Sequence, residues 1–155
     1  MINNNKVLPL RIGVGIVLLN SKNRVFVGKR IDNPKKFWQM PQGGVNKNES
    51  FLSAAKRELN EETGVKSIKL IKKISGWYNY DLPKNLLGKI WKGKFKGQKQ
   101  KWFIMRFQGD DEEININTAN PEFLDWKWIN PSDLPHVAVH FKMNIYKKLL
   151  LELNL

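Results

Sequence analysis

Three glutamates occupy one short stretch of an otherwise basic chain. In the sequence RELNEE, Glu58, Glu61 and Glu62 stand at positions i, i+3 and i+4. On a helix this spacing places the three carboxylates on one face, within about 6 Å of one another at Cβ. Unpaired carboxylates would repel one another, and a hard divalent cation would remove that repulsion because it prefers clustered oxygen ligands. The alternative is an ordinary solvated helix face on which Lys56 and Arg57 pair with the acids.

Other residues at fixed offsets favour a metal site over the solvated face. Gly43 is followed after five residues by Glu49 and after seven more by Arg57, and Gly64 and Val65 complete the pattern. The stretch matches G-x5-E-x7-R-E-U-x-E-E-x-G-U at every position, where U is an aliphatic residue. This pattern is the Nudix box, and the chain therefore resembles a Nudix hydrolase.

The resemblance implies a fold and a reaction. The fold would be α+β, with a mixed β-sheet sandwiched between α-helices (an α/β/α sandwich), in a single domain that spans residues 1–155. The reaction would be hydrolysis of a nucleoside diphosphate linked to another group. The strand, loop and helix that this family places around its box agree with the local signals in the sequence.

The same resemblance gives the acidic residues their roles. Glu58, Glu61 and Glu62 would be catalytic and would coordinate a divalent cation, Mg²⁺ or alternatively Mn²⁺ or Zn²⁺. Such an ion neutralises phosphate oxygens and lowers the pKa of an attacking water. Glu122, in the fragment PEF, would be a further carboxylate near the metal. The base that deprotonates the water would be Glu61 or Glu62.

The remaining box residues would form its frame. Gly43 and Gly64 are the ends of the box, and Gly43 would approach the metal through its backbone because glycine allows a close approach. Arg57 would hold a box carboxylate in a bidentate pair and so take part in catalysis indirectly. Glu49 would support the loop and helix rather than bind the metal.

Local signals also predict the elements that position the box. Ser50 is a suitable N-cap and Gly64 a suitable C-terminal stop for a helix that begins at Phe51. Gly43 and Gly44 are predicted to form a loop before that helix. The predicted strands are 11–19 and 24–30, which form a hairpin around a turn at 20–23, a short extended stretch at 38–41, then 68–80, 100–108 and 126–129. Residues 83–97 are predicted to be irregular, and 140–153 to form a C-terminal helix.

Fragments outside the box resemble one branch of the family, the RNA pyrophosphohydrolases and dinucleoside polyphosphate hydrolases. They are RIGVGIVLLN, FWQMPQGGV, GQKQKWF, NPEFLDWKWI and VHFKMNIYKKLL. The branch implies a set of substrate-binding residues, namely Arg11, Lys29, Gly44, Tyr80, Gln98, Lys101 and Phe141. The basic members would contact phosphate, and Tyr80 and Phe141 would lie near the base or the polyphosphate. Read without the resemblance, these cations could equally be solvated and these aromatics could be packing residues.

Three functions remain to be compared on this basis. The first is removal of pyrophosphate, or of phosphates, from the 5′ end of triphosphorylated or diphosphorylated RNA, which leaves a monophosphate and promotes RNA decay. The second is hydrolysis of a dinucleoside polyphosphate such as diadenosine tetra- or pentaphosphate. The third is a non-catalytic RNA-binding or sensor protein built on a Nudix scaffold, which predicts an eroded box, whereas here every box position is intact.

The charge of the chain favours a polyanionic partner. Its 155 residues contain 27 Lys and Arg against 14 Asp and Glu, a net charge of +13. Residues 82–109 contain seven lysines and no acid, with Trp91, Phe95 and Trp102 interleaved. Cations with aromatics suit a single-stranded RNA end, although an AT-rich genome would also enrich lysine. The fragment IWKGKFK is more basic than the family pattern, and Asp81 places an acid where a cation would suit RNA better.

The remaining expectations concern the compartment and the assembly. The chain has no cysteine, which excludes disulfides and thiolate metal sites. It has no run of about 20 apolar residues, and Met1–Lys6 lacks the apolar core of a signal peptide. We therefore expect a cytoplasmic protein without a membrane partner, and we expect a monomer.

Overall fold

The helices and strands follow one another in an order that builds one sheet with helices on both sides. The computed structural model describes residues 7–32 and 37–153, so Met1–Lys6, on which the signal-peptide expectation rests, lies outside the described residues. The elements are β1 (Leu10–Leu19), β2 (Val25–Arg30), β3 (Gln42–Gly44), α1 (Phe51–Thr63), β4 (Ile68–Lys73), β5 (Tyr78–Asp81), β6 (Gly97–Phe107), β7 (Phe123–Ile129), α2 (Leu134–Val137) and α3 (Met143–Glu152).

The sheet is mixed, as predicted. Its main path runs β4-β6-β1-β2-β7, with β3 paired to β1 and β5 paired to β6. Strands β1 and β6 are parallel, from the pair Leu10 and Gly97 to the pair Leu19 and Arg106. The other pairings are antiparallel. Strand β1 therefore lies in the middle of the sheet, with β6 on one side and β2 and β3 on the other.

Two apolar layers cover the two faces of the sheet. Val14, Ile16 and Leu18 of β1 pack in the layer that contains α1. Val17 and Leu19, which alternate with them, pack in the layer that contains α2 and α3. Because successive side chains of a strand point to opposite faces, one strand supplies both cores. This arrangement confirms the predicted α+β sandwich.

Two glycines of β1 make room for large side chains of β6. A Cβ atom at Gly13 would overlap the Gln98 amide, and one at Gly15 would overlap the Trp102 indole. Both β6 side chains are fully buried. The β1 glycines therefore let these side chains lie across the neighbouring strand.

The predicted hairpin of the first two strands is only partly correct. Its turn is present, and the Asn20 side chain accepts hydrogen bonds from the backbone N–H groups of Lys22 and Arg24 at 3.0 and 2.9 Å. However, β2 meets β1 only at the pair Leu19 and Val25 and otherwise pairs with β7. The hydrophobic pattern predicted the strand but not its partner, since alternation does not specify which neighbour a strand takes.

Strands β6 and β7 each begin three residues earlier than predicted, at Gly97 and Phe123, and three other predictions are wrong. The single strand at 68–80 is two strands, β4 and β5, separated at Gly76, whose φ of 84° is the left-handed conformation that glycine adopts readily. Gly43 and Gly44 belong to β3 instead of a loop. The C-terminal helix begins at Met143, after a 3₁₀ turn at His140–Lys142. Residues 83–97 are irregular as predicted, apart from a 3₁₀ turn at Trp91–Gly93 and the first residue of β6.

Candidate active site

Helix α1 carries the box glutamates, and both of its ends are capped as the sequence predicted. The Ser50 hydroxyl accepts a hydrogen bond from the Ser53 N–H at 3.1 Å. At the other end, Gly64 adopts φ 75° and donates its N–H to the Asn60 carbonyl at 2.8 Å. Ala55 and Leu59 are fully buried against the sheet. The helix is therefore fixed along its apolar side, and Glu58 and Glu62 lie on the side that faces β3.

Arg57 connects the helix to the loop before it. Its guanidinium donates two hydrogen bonds to Glu49, at 2.8 and 2.9 Å, and one to the Gly44 carbonyl at 2.8 Å. It also donates to Glu58 at 2.8 Å and to Glu61 at 3.2 Å. The bidentate partner is therefore Glu49, and the contacts to the other two box acids use a single nitrogen.

Glu49 is held at the bend of this loop. Besides the two bonds from Arg57, it accepts the backbone N–H of Asn46 at 3.0 Å. These hydrogen bonds lower the pKa of Glu49 to about 2, and those from Arg57 make the largest contribution. A carboxylate with this many donors is a structural anchor, and this is the loop-supporting position that the sequence predicts for it.

Glu58 lies directly under the backbone of β3. A Cβ atom at Gly43 would overlap the Glu58 carboxyl group, so glycine is required there for this approach. The Glu58 side chain is 15% exposed. Burial raises its pKa above the ordinary value, and the hydrogen bond from Arg57 opposes that shift.

Glu62 is the most buried acid of the box. It is 4% exposed, and its carboxylate accepts the Gln42 backbone N–H at 3.3 Å. Burial raises its pKa well above the ordinary value, and repulsion from Glu58 and Glu122 raises it further. None of the ion pairs found within the described residues involves Glu62. Its charge is therefore poorly compensated by the protein alone.

The carboxylate oxygens of the box are the type of ligand that a divalent cation prefers, although these carboxylates do not converge on one point. Within residues 7–32 and 37–153, no three Asp, Glu or His side chains come together in a geometry that would hold a metal ion. Glu61 is 57% exposed and turns toward Arg57. Yet Glu58 is partly buried and Glu62 is buried, and this burial is the main cause that raises the pKa of both carboxyl groups. A hard cation beside them would supply compensating positive charge.

Glu122 lies at the exposed end of β7. Its backbone carbonyl accepts the Ile31 N–H at 3.0 Å, and its side chain is exposed. Its charge contributes to raising the pKa of Glu62. The Glu122 carboxylate is therefore near enough to Glu62 for its charge to act on that residue.

Two of the predicted substrate residues form an aromatic pair next to a chain of buried amides. The Tyr80 and Phe141 rings are 5.5 Å apart. The Tyr80 hydroxyl donates to the side-chain Oε1 of Gln98 at 3.0 Å, and Nε2 of Gln100 donates to the same oxygen at 3.1 Å. Gln98 Nε2 is buried and has no hydrogen-bond partner among residues 7–32 and 37–153. Tyr80, Phe141 and Gln98 are therefore brought together on the α3 side of the sheet.

Arg11 shares a cavity with Glu58. The cavity measures about 390 Å³, and its lining includes Arg11, Gly44, Glu58 and Phe95. A Cβ atom at Gly44 would overlap the Arg11 guanidinium, so this glycine lets the cation lie against β3. The guanidinium also lies 5.3 Å from the centre of the Trp91 ring. A cation and a box carboxylate thus face the same space.

The two predicted lysines lie elsewhere. The Lys29 ammonium is 4.8 Å from the centre of the Trp38 ring, to which Lys127 also points. The Lys101 ammonium is 4.4 Å from the centre of the Trp77 ring. Neither lysine lines the cavity of Arg11 and Glu58.

Lys142 also lies at this site, and it is not among the residues predicted from the sequence. This side chain is 5% exposed, donates a hydrogen bond to Gln39 at 3.0 Å, and lies 5.5 Å from the Tyr80 ring and 5.9 Å from the Phe141 ring. Burial, followed by repulsion from Arg30, lowers its pKa to about 7. The only available signal was its position directly after Phe141, because a lysine in a basic helical segment is normally exposed.

The helices of the described part of the chain are too short or too polar to cross a bilayer.

Comparison with known proteins connects this geometry to one family. The NUDIX domain model matches residues 9–149. The chain is 62% identical over 144 residues to an RNA pyrophosphohydrolase of Pelagibacter ubique, covering 92% of this chain and 91% of that protein. It is 46% identical over 154 residues to an RNA pyrophosphohydrolase of Orientia tsutsugamushi, covering 99% and 96%.

Solved structures show the same fold at low sequence identity. The E. coli dihydroneopterin triphosphate pyrophosphohydrolase aligns with a TM-score of 0.69 at 18% identity, covering 93% of this chain and 99% of that one. The C. elegans Ap4A hydrolase aligns with a TM-score of 0.63 at 17% identity, covering 91% and 97%. At this identity the likeness concerns the arrangement of the elements alone.

Proposed function

The chain belongs to the Nudix family, and on that premise we propose that it removes pyrophosphate from the 5′ end of triphosphorylated RNA, and phosphate from diphosphorylated RNA, leaving a 5′-monophosphate. It is a hydrolase of pyrophosphate bonds. The observation that carries the RNA substrate is the similarity to RNA pyrophosphohydrolases over almost the full length of both chains. A 5′-monophosphate end would expose the transcript to decay.

The residues of the box would have different roles in hydrolysis, and the first of these is to hold a divalent cation. Nudix hydrolases generally need a divalent cation, for which we propose Mg²⁺, with Mn²⁺ or Zn²⁺ as alternatives; when bound it would neutralise phosphate oxygens and lower the pKa of the attacking water. Glu58 and Glu62 would hold it, together with Glu61, Glu122 and the backbone at Gly43.

Two further roles follow from the surroundings of these acids. Arg57 would keep Glu58 oriented through its 2.8 Å hydrogen bond while Glu49 fixes the guanidinium. Glu61 or Glu62 would accept the proton of the attacking water. Because Glu61 is exposed and Glu62 is buried, the pH–rate profiles of Glu61→Gln and Glu62→Gln should differ, and the base is the residue whose loss removes the acidic limb.

Residues around the box would hold the substrate. Arg11 faces the cavity that Glu58 also lines, so we propose that its guanidinium binds the polyphosphate. Phe141 and Tyr80 would stack with or flank the first bases. Gly44 and Gln98 lie beside Arg11 and Tyr80 and would contribute backbone and amide contacts, and Lys29 and Lys101 would act on the RNA from outside the cavity.

The test is direct hydrolysis of a 5′-triphosphorylated oligonucleotide with Mg²⁺. We expect release of pyrophosphate and a monophosphorylated product, and loss of both with Glu58→Gln. The exposed Lys56→Gln on the same helix is the matched control and should retain activity. An untouched triphosphate end in the wild-type reaction would refute the proposal.

The second candidate is hydrolysis of dinucleoside polyphosphates. Asp81 supports it, because this exposed acid next to Tyr80 disfavours a long polyanion at that edge more than a compact dinucleotide. Values of kcat/KM for diadenosine tetraphosphate and for triphosphorylated RNA, measured side by side, separate the two. A preference for the dinucleotide that is independent of RNA length would favour the second candidate.

We propose that the enzyme acts as a cytoplasmic monomer with one domain over residues 1–155. The lack of cysteines and the RNA substrate support this placement. Light scattering at micromolar concentration should give one chain per particle, and a dimer mass would contradict it.

A further inference from the structure

Trp77 presents an exposed indole beside two lysines on the α1 side of the sheet. Its side chain is 43% exposed. The ammonium groups of Lys101 and Lys99 lie 4.4 and 4.7 Å from the centre of its ring. The Phe51 ring meets the indole edge-on, with centroids 5.6 Å apart.

The break between β4 and β5 places Trp77 there. Gly76 adopts a left-handed φ of 84°, and a Cβ atom at this glycine would meet no other atom within 4 Å. The chain therefore turns in open space just before Trp77. On β6, Lys99 and Lys101 alternate with buried Gln98 and Gln100, so both ammonium groups emerge on the same face.

The two lysines leave positive charge uncompensated at the indole. In the part of the chain that the structure describes, the ion pairs found involve neither Lys99 nor Lys101. Two like charges beside one aromatic ring repel each other, and a phosphate between them would relieve that repulsion. The exposed part of the indole offers a π surface on which any base can stack.

This surface is continuous with the candidate active site. Lys99 pairs with Ile12 across the parallel strands β6 and β1, and Ile12 lines the same cavity as Arg11 and Glu58. On α1, Phe51 precedes Glu58 by seven residues, which is about two turns or roughly 10 Å on nearly the same face. That distance corresponds to about three stacked nucleotides.

We propose that Trp77, Lys99 and Lys101 form a binding site for a downstream nucleotide of single-stranded RNA, with the base on the indole and a backbone phosphate at the two lysines. The inference rests on the proposed function. The site is separate from the Tyr80 and Phe141 pair, because Tyr80 packs in the layer on the opposite face of the sheet.

Binding of a reaction product tests the site without any turnover. The probe is a 5′-monophosphorylated single-stranded RNA of about ten nucleotides, and Kd is measured for the wild type and for Trp77→Ala, Trp77→Phe and Lys99→Gln. We expect Trp77→Ala to raise Kd roughly tenfold and Trp77→Phe to restore most of the affinity. Lys99→Gln should weaken binding and make the salt dependence less steep. Lys147→Gln, an exposed lysine on α3, is the control for charge loss.

Two outcomes of the binding measurement would refute the inference. A Kd of Trp77→Ala within about twofold of the wild type, or a loss for Lys147→Gln equal to that for Lys99→Gln, would refute it. If Trp77→Ala lowers the melting temperature, Lys99→Gln, which keeps the indole, decides the question instead: a Kd equal to that of Lys147→Gln refutes the inference.

A hydrolysis measurement separates this site from the catalytic centre. The ratio of kcat/KM for a triphosphorylated RNA of about ten nucleotides to that for a triphosphorylated dinucleotide should fall roughly tenfold in Trp77→Ala. An unchanged ratio refutes the inference. A wild-type protein that cuts neither substrate refutes the proposed function, whereas product binding that still depends on Trp77 upholds the inference.

Discussion

Glu62 places a carboxylate where water hardly reaches it and where protein contacts compensate little of its charge. Its pKa is raised mainly by burial. The folded protein therefore favours the protonated acid, whereas the unfolded chain ionises near the ordinary value of 4.5. It follows that the contribution of Glu62 to the free energy of unfolding decreases as the pH rises from that value through the raised pKa. At neutral pH the residue costs stability.

The first prediction concerns removal of this charge. Glu62→Gln keeps the shape of the side chain but removes its charge, so it should strongly lower the rate of hydrolysis and raise the melting temperature in the absence of divalent cations. Each 1 kcal/mol of relief would raise it by about 2–4 °C. Thermal melting at pH 8 with and without Mg²⁺ is the measurement. Mg²⁺ should stabilise the wild type more than the variant, and equal shifts would contradict a role of Glu62 at the metal.

The second prediction concerns Arg57, which joins the loop to the helix through a planar fork. Lysine has the charge but cannot reproduce the paired hydrogen bonds to Glu49. Arg57→Lys should therefore lower kcat roughly 10- to 100-fold, the loss reported for groups that orient metal ligands. Steady-state kinetics on triphosphorylated RNA checks this. Wild-type kcat in Arg57→Lys would show that charge alone is sufficient.

The third prediction follows from the pKa of about 7 at Lys142. Because the unfolded lysine binds its proton up to about pH 10.5, the folded state holds fewer protons between these two values. The free energy of unfolding should therefore rise with pH in this window, by at most about 1.4 kcal/mol per pH unit. In Lys142→Met this rise should be absent, as measured by urea denaturation at pH 7, 8 and 9. Parallel curves for the two proteins would contradict the burial of a neutral lysine.

At the scale of elements, the segment between β5 and β6 shows backbone strain next to the site. Trp91 and Lys92 adopt φ of 51° and 56°, left-handed values that bulky residues rarely take. This turn brings the Trp91 ring to Arg11 and to Phe95, at 5.3 and 6.2 Å. Strain of this kind persists where surrounding contacts fix it, and here the contact orients a cation of the cavity.

The fourth prediction is that Trp91 positions Arg11. Trp91→Ala should raise KM for triphosphorylated RNA roughly fivefold with a smaller effect on kcat, since a cation–π contact contributes about 0.5–2 kcal/mol. Trp91→Phe should restore most of the loss. Lys94→Gln, an exposed cation of the same segment, controls for charge. A purely structural role would lower the melting temperature and leave KM unchanged.

The elements show which features local sequence can predict. The caps of α1 were predicted because Ser50 and Gly64 act through bonds within four residues. The partner of β2 was not, because β7 is distant in sequence and alternation does not identify partners. The break between β4 and β5 at Gly76 was not predicted. Both strands pair with β6, so the alternating pattern of the sequence continues from one strand to the next.

The same distinction applies to the site. The box predicted which acids lie on α1, because its i, i+3 and i+4 spacing places side chains on one face only if the segment is a helix. It did not predict that Glu61 accepts a hydrogen bond from Arg57, whereas Glu62 accepts one from the Gln42 backbone N–H. Lys142 was missed because its burial depends on how the turn before α3 packs on Tyr80. Tertiary contacts of this kind leave no periodic signal in the sequence.

At the scale of the whole molecule, the net charge of +13 acts on substrates before contact. The fifth prediction is that kcat/KM for triphosphorylated RNA decreases with KCl more steeply than kcat/KM for diadenosine tetraphosphate. A longer polyanion releases more counterions, with a slope of about −0.7 per phosphate neutralised for single strands. Both substrates are measured at fixed Mg²⁺ over a series of KCl concentrations. Equal slopes would show that the basic surface does not contact the RNA body.

The parallel pairing of β1 with β6 also has a consequence for biosynthesis. Leu10 pairs with Gly97 and Leu19 pairs with Arg106. The centre of the sheet therefore cannot form until the ribosome has synthesised all of β6. Until then β1 leaves the ribosome with an unpaired edge and apolar side chains on both faces, a state prone to association. Translation must therefore pass β6 before the cavity of Arg11 can form. A nascent chain of this protein therefore gains a complete candidate active site only after β6 has been synthesised and has paired with β1.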